Sequence, residues 1–298
     1  MISKTLKIGD KIGIIAPARA LQAHEMEPFI ELAQGWGLQV VLSKNLYKSH
    51  HIFSATDEQR AQDFIDLWTD PSIKAIICAR GGYGSMRMLK YIPNEIFTND
   101  QKWLIGYSDI TTLHLHLNAL NIASIHGPMA INAGWSNRFI NSNFDALHQL
   151  LFNGEVSINC SKFKIVNPGP FSGELIGGNV SLVYAALGTP EQPKTEGKVL
   201  FLEEIDEYLY HLDRMVVSMD RAGLFKNLAG LVIGSLIKMK DNKSPFGPKA
   251  EEIMAEIAIK YGYPIIYNFP AGHGAKNSAI SMGTLCNFDG KLFTQNLL

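Results

Sequence analysis

A chain of 298 residues, 46% of them hydrophobic, can bury one large core or two moderate ones, and its length predicts two domains. With 27 basic and 28 acidic residues and a formal charge of −1, it offers no electrostatic footprint for nucleic acid or an anionic membrane, so a small-molecule partner is expected. Three widely spaced cysteines, Cys78, Cys160 and Cys286, fit neither a disulfide framework nor a zinc site, and the absence of an apolar leader or of roughly 18 consecutive apolar residues predicts a cytoplasmic protein.

Residues 11–18 read as a buried strand ending in a turn, 24–34 as a helix and 38–42 as a second strand. Thr56 and Gln59 have the spacing of a capping box for a helix reaching Trp68, and 73–78 is the next strand. Apolar strands alternating with helices predict a mostly parallel sheet covered on both faces, whose ligands gather beyond the carboxyl ends of the strands. Two turns fall at such ends. Ala79-Arg-Gly-Gly-Tyr-Gly84 matches neither a dinucleotide fingerprint nor a Walker loop, so its glycines either serve a tight bend or let backbone N–H groups approach a substrate oxygen.

The second turn follows the short apolar run 103–105. Gly106-Tyr-Ser-Asp109 leads into a helix with Leu113 and Leu117 on one face, which presents Ser108 either as a helix N-cap or as a nucleophile at a strand-to-helix elbow. His114 and His116, two apart on that helix, cannot chelate together, and the histidine of His126-Gly-Pro128, after a short strand, reads either as a neighbour of the site or, in preference, as a satisfied core or turn residue. A helix over 144–152 closes the first half, and Asn167-Pro-Gly-Pro170 marks a break, so a linker is placed at 153–171.

In the second half a helix is expected at 180–187, a strand at 198–202, a helix at 208–222, a strand at 228–234, a helix at 248–261 and two short strands at about 279–287 and 291–295. The strand at 198–202 delivers Glu203 at its end, and His273 stands between Gly272 and Gly274, unobstructed by neighbouring bulk. An activated serine needs a histidine in hydrogen-bond reach and a third group to fix its tautomer, so Ser108, His273 and Glu203 form a candidate set in the chain order Ser, Glu, His. No His-Glu-x-x-His or paired-histidine spacing supports a metal, and no cofactor is expected.

Seven motifs recur in one order: Ile-Ala-Pro at 15–17, Ala79-Arg-Gly-Gly-Tyr-Gly84, Gly106-Tyr-Ser-Asp109, His126-Gly-Pro128, Gly177-Gly-Asn179, Leu202-Glu-Glu-Ile-Asp-Glu207 with Asp213-Arg214, and Gly272-His273. Together they resemble the LD-carboxypeptidases, penicillin-insensitive serine peptidases of muropeptides. The resemblance implies an α/β fold with an N-terminal flavodoxin-like parallel-sheet domain (1–152) carrying the nucleophile. A linker (153–171) would lead to a C-terminal swivelling β/α domain (172–298) carrying Glu and His, and the protein would be a homodimer. It implies a triad of Ser108, Glu203 and His273, with Glu204 the weaker candidate for orienting the histidine. The oxyanion hole would come from the N–H groups of Asp109 and of Gly82, chosen over Gly81. The implied reaction hydrolyses the bond between the diamino acid and terminal D-alanine of a murein tetrapeptide, and Arg80 is the expected partner of the terminal carboxylate, which a guanidinium can grip bidentately.

Two other readings remain. Microcin-immunity hydrolases, which cleave peptidyl or aminoacyl adenylates, tend to carry a base-stacking Trp near the domain junction, whereas residues 153–171 contain none. A two-lobed small-ligand binding protein would share the architecture without needing the nucleophile, acid and base together.

Overall fold

The computed structural model describes residues 2–97, 101–135 and 137–297, with the side chains of all but 137–141 and 257. The first lobe is a parallel sheet of β1 (Lys11–Ile15), β2 (Gln39–Leu42), β3 (Ile73–Cys78), β4 (Trp103–Gly106) and β5 (Ser124–His126), in the spatial order β2-β1-β3-β4-β5. That is the flavodoxin-like order. The central strands are buried almost throughout, as a sheet covered on both faces requires. Its covering helices are α1 (Glu27–Gly35), α2 (Asp57–Thr69), the short α3 (Ser85–Met88), α4 (Thr111–Ala119) and α5 (Asn137–Asn153). At the start of α2, Thr56 Oγ1 accepts from the Gln59 N–H and Gln59 Oε1 accepts from the Thr56 N–H, both at 3.3 Å, so two otherwise orphaned donors are satisfied reciprocally.

The second lobe contains β6 (Glu155–Asn159), β7 (Ile165–Val166), β8 (Phe171–Asn179), α6 (Val180–Ala185), β9 (Val199–Ile205), α7 (Leu209–Arg221), β10 (Gly230–Ile237), α8 (Ala250–Ala258), β11 (Ile265–Ile266), β12 (Ile280–Met282), β13 (Leu285–Phe288) and β14 (Leu292–Asn296). Its sheet runs β6-β14-β13-β8-β9-β10-β11-β7, parallel from β8 to β11 and antiparallel towards both edges. Within 153–171, read above as a linker, β6 and β7 form the two edges of this sheet. The glycine-rich stretch before α6 is the strand β8.

Residues 279–287 do not form one strand. The chain turns at Gly283, where φ is +73°, and β12 leaves the second lobe to pair antiparallel with β5 of the first while β13 stays beside β8. The second sheet also buries one face against the first lobe. Phe201 belongs to the core shared with that lobe, whereas Leu200 and Leu202 pack with α6, α7 and α8. Strand alternation then sends Glu203 towards the first lobe and Glu204 towards the helices. Close approach between the lobes depends on Gly178: a methyl group there would lie 2.5 Å from Thr111 Oγ1, the same oxygen that accepts the Asn179 N–H at 3.0 Å.

Candidate active site

The elbow begins with four buried residues, Trp103 to Gly106. Gly106 is needed because a side chain there would lie 2.8 Å from Cγ1 of Ile110, blocking the return of the chain over the strand. Ser108 then takes φ +63°, a left-handed conformation that is costly for a residue with a Cβ and persists only where the surroundings impose it. The residues capping the short turn (Ser108–Ile110) and α4 are Tyr107 and Ile110, so Ser108 is not the helix cap that the sequence also allowed. Beneath the elbow, His114 of α4 donates from Nε2 to the Gly106 carbonyl at 2.9 Å and accepts at Nδ1 from Ser124 Oγ at 2.8 Å, and complete burial pulls its pKa down to about 4.

The glycine loop after β3 lies against this elbow. A methyl group on Gly81 would sit 3.4 Å from Cβ of Ser108, and Gly82 and Gly84 have φ of +112° and +146°, open only to glycine. The buried Asp109 carboxylate accepts from the Ser85 N–H at 2.8 Å, tying the loop to the elbow, and burial raises its pKa. Arg60, itself buried, donates to the carbonyls of Gly84 (2.8 Å) and Pro17 and pairs with Asp57. Two backbone turns at the sheet's carboxyl edge are thus held by one cation whose fork reaches both.

In the second lobe Glu203 is fully buried at the end of β9. Its Oε2 accepts from His273 Nδ1 at 2.7 Å and from the His273 backbone N–H at 3.3 Å. This contact leaves Nε2 of the imidazole as the nitrogen free to take a proton. Gly272 has φ +109°, and a methyl group there would lie 2.7 Å from both Glu203 Oε2 and Ser235 Oγ. The Gly274 N–H donates to Ser235 Oγ at 2.9 Å and the Gly272 N–H to Asn277 Oδ1 at 2.9 Å, so the loop is held on both sides of the histidine.

Aromatic rings join the lobes: His126 of β5 meets Phe201 of β9 edge-on at 4.9 Å, and a second contact reaches the histidine loop. The ring of Tyr107, the residue before Ser108, packs on the His273 imidazole with centroids 4.8 Å apart. Burial pushes the Tyr107 phenol up to about 12, keeping it neutral, and Asn132 Nδ2 reaches its oxygen at 3.4 Å. His126 lies behind, its ring 6.0 Å from Tyr107 and its pKa driven well below the ordinary value by burial and by the neighbouring His114 and His273. A cavity of about 910 Å³ borders the far end of the histidine loop at Gly274 and Lys276, with Ser235, Lys162, Phe163 and Glu251 around it, and none of Ser108, Glu203 and His273 lines it.

Glu204, on the other face of β9, accepts from Asn179 Nδ2 and the Ser181 N–H, both at 2.8 Å, and burial raises its pKa. It braces the end of β8 and the start of α6 and does not touch His273. Arg80 lies in the glycine loop, its Nη1 3.7 Å from Glu25 and 3.5 Å from the Ala20 carbonyl. Sequence reading missed Ser235, Asn277, Arg60 and Tyr107 as supports. Only Tyr107, inside the Gly106-Tyr-Ser-Asp109 motif, carried a local signal. Among the described residues no group of three or more His, Cys, Asp or Glu could hold a metal ion.

The model of the LD-carboxypeptidase N-terminal domain matches residues 12–127, and that of the LD-carboxypeptidase C-terminal domain matches residues 172–288. A probable murein peptide carboxypeptidase of Bacillus subtilis (strain 168) is 31% identical over 294 residues, covering 94% of this chain and 89% of that protein. The crystal structure of muramoyltetrapeptide carboxypeptidase from Oxalobacter formigenes superposes with a TM-score of 0.83 at 24% identity, over 95% of this chain and 97% of its own. The microcin C7 self-immunity protein MccF, in complex with aspartyl sulfamoyl adenosine, superposes with a TM-score of 0.90 at 20% identity, over 100% and 99% of the two chains. At these identities the two solved structures establish a shared two-lobed fold.

Proposed function

The chain belongs to the LD-carboxypeptidase family, and from that premise we propose that it is a serine-type carboxypeptidase releasing terminal D-alanine from murein tetrapeptides, with Ser108, Glu203 and His273 as its triad. The observation that carries this reading is the packing of Tyr107 on His273, which sets the residue next to the strained serine against the base from the other lobe. Ser108 Oγ attacks the scissile carbonyl while His273 Nε2 takes its proton. Glu203 fixes the tautomer and stabilises the imidazolium without itself taking the proton. The N–H groups of Asp109 and Gly82 receive the developing oxyanion. His273 then protonates the departing amine of D-alanine, and a water molecule deprotonated by His273 releases the acyl group from Ser108.

The name of the Bacillus relative supports a murein peptide as substrate. The adenylate reading is the second one, favoured by the likeness to MccF in overall fold. Both are tested by incubation with disaccharide tetrapeptide and with aminoacyl-sulfamoyl adenosine, following D-alanine and amino acid release by mass spectrometry. Release of D-alanine, abolished in Ser108→Ala, is the expected result; release of the amino acid alone transfers the assignment to adenylates. A fluorophosphonate should label Ser108, and a binding protein would not react. Recycling of cell-wall peptides would place the protein in the cytoplasm, and no helix among the described residues is long and apolar enough to cross a membrane. A homodimer is the expected assembly, checked by sedimentation equilibrium.

A further inference from the structure

A carboxypeptidase must recognise a carboxylate one residue, about 3.3 Å of extended chain, beyond the bond it cuts. Four arginines border the glycine loop, and three are engaged. Arg60 is buried on Asp57 and three carbonyls, Arg87 lies 2.9 Å from Asp57, and Arg80 is shared between Glu25 and the Ala20 carbonyl. Arg19 is exposed and has no ion pair or side-chain hydrogen bond among the described residues. It follows β1 at the same carboxyl edge of the sheet, and its backbone is held there by a bridge to Phe53. Its side chain lies across Gly82: a methyl group on that glycine would stand 2.6 Å from Cδ and 2.7 Å from Nε of Arg19. Gly81, the next residue, borders Cβ of Ser108.

We propose that Arg19, rather than Arg80, receives the terminal carboxylate of the substrate and so makes the enzyme an exopeptidase. Gly82 then has two uses. Its peptide N–H faces the oxyanion, and its missing side chain seats the arginine stem against the loop. A carboxylate docked on the free fork of Arg19 would be held one loop residue away from the approach of Gly81 to Ser108, so a peptide is cut only where its chain ends. The proposal rests on the muropeptide hydrolase reading and narrows it to substrates with a free carboxyl terminus.

The test compares the murein tetrapeptide with the same peptide ending in D-alaninamide. The wild type should prefer the acid. Arg19→Met and Arg19→Gln should lower that preference about 10- to 100-fold, the scale of a charge-assisted bidentate contact, mainly through KM for the acid, while Arg19→Lys recovers part of it. Arg80→Met should keep the preference. Fluorophosphonate labelling of Ser108 in each variant shows that the site is folded. If both Arg19 variants label and still favour the acid as the wild type does, the proposal is overturned, whether or not Arg80→Met loses the preference. A wild type that cleaves acid and amide equally overturns it too, leaving the hydrolase reading intact. A wild type that labels at Ser108 yet cleaves neither peptide removes the muropeptide reading, and the role of Arg19 goes with it.

Discussion

At the scale of single residues, the proposed machinery depends on a buried carboxylate whose one oxygen meets His273 twice, through the ring Nδ1 and through the backbone N–H. Glu203→Gln keeps the shape of that contact, but its amide can present an N–H to Nδ1 and so favours the wrong tautomer. A loss in kcat of about a thousand- to ten-thousand-fold is expected, with KM little changed, measured on purified protein. Gly272→Ala tests the support instead of the chemistry. Its methyl group would crowd Glu203 Oε2 and Ser235 Oγ at 2.7 Å while the backbone holds φ +109°. It should lower both activity and the urea midpoint, with a stability loss of about 1–3 kcal/mol. A variant as active and stable as the wild type would show that the loop is not packed as described.

At the scale of elements, the strand-to-helix elbow is fastened from below by α4. His114 must be neutral to accept from Ser124 while donating to the Gly106 carbonyl, and burial lowers its pKa from 6.5 to about 4. The unfolded chain binds this proton near pH 6.5 and the folded chain only near pH 4. Stability is therefore fully present above pH 6.5 and is lost as pH falls through that window. At about 1.4 kcal/mol per unit, the loss approaches about 3 kcal/mol by pH 4, and His126 is shifted in the same direction. Urea denaturation at pH 7, 5 and 4 should show the decline, and His114→Gln should flatten it. An unchanged pH dependence in that variant would place the sensitivity elsewhere. Strand β9 shows what alternation can and cannot say from sequence. That Glu203 and Glu204 point to opposite faces follows from a period of two, but which face meets the other lobe depends on how the sheet is packed.

At the scale of the whole molecule, the lobes are joined by more than the stretch at 153–171. β12 comes from the C-terminal part of the chain and pairs with β5, covering an edge of the first sheet. A fragment of residues 1–152 therefore leaves β5 with unpaired N–H and C=O groups. It should elute from gel filtration as aggregates, and adding residues 153–298 in trans should restore a discrete species. A monodisperse, stable fragment would show that the edge needs no partner. Proteolysis bears on the same boundary: β6 and β7 in 153–171 are paired within the second sheet, so cleavage there should be slow.

The parallel first sheet is legible in the alternation of apolar strands and helices along the chain. The sequence also presents a serine after a strand, a glutamate after a strand and a histidine between glycines. These signals are local, a matter of period, cap and turn chemistry within a few residues. The remaining features arise from packing between distant segments. Gly283 splits the run at 279–287 between two sheets, Tyr107 meets His273 across the lobes, Arg60 binds loops from separate strands, and Arg19 lies on Gly82. Each of these is a contact between residues distant along the chain. Its geometry comes from how two sheets pack against each other, which no short window of sequence contains.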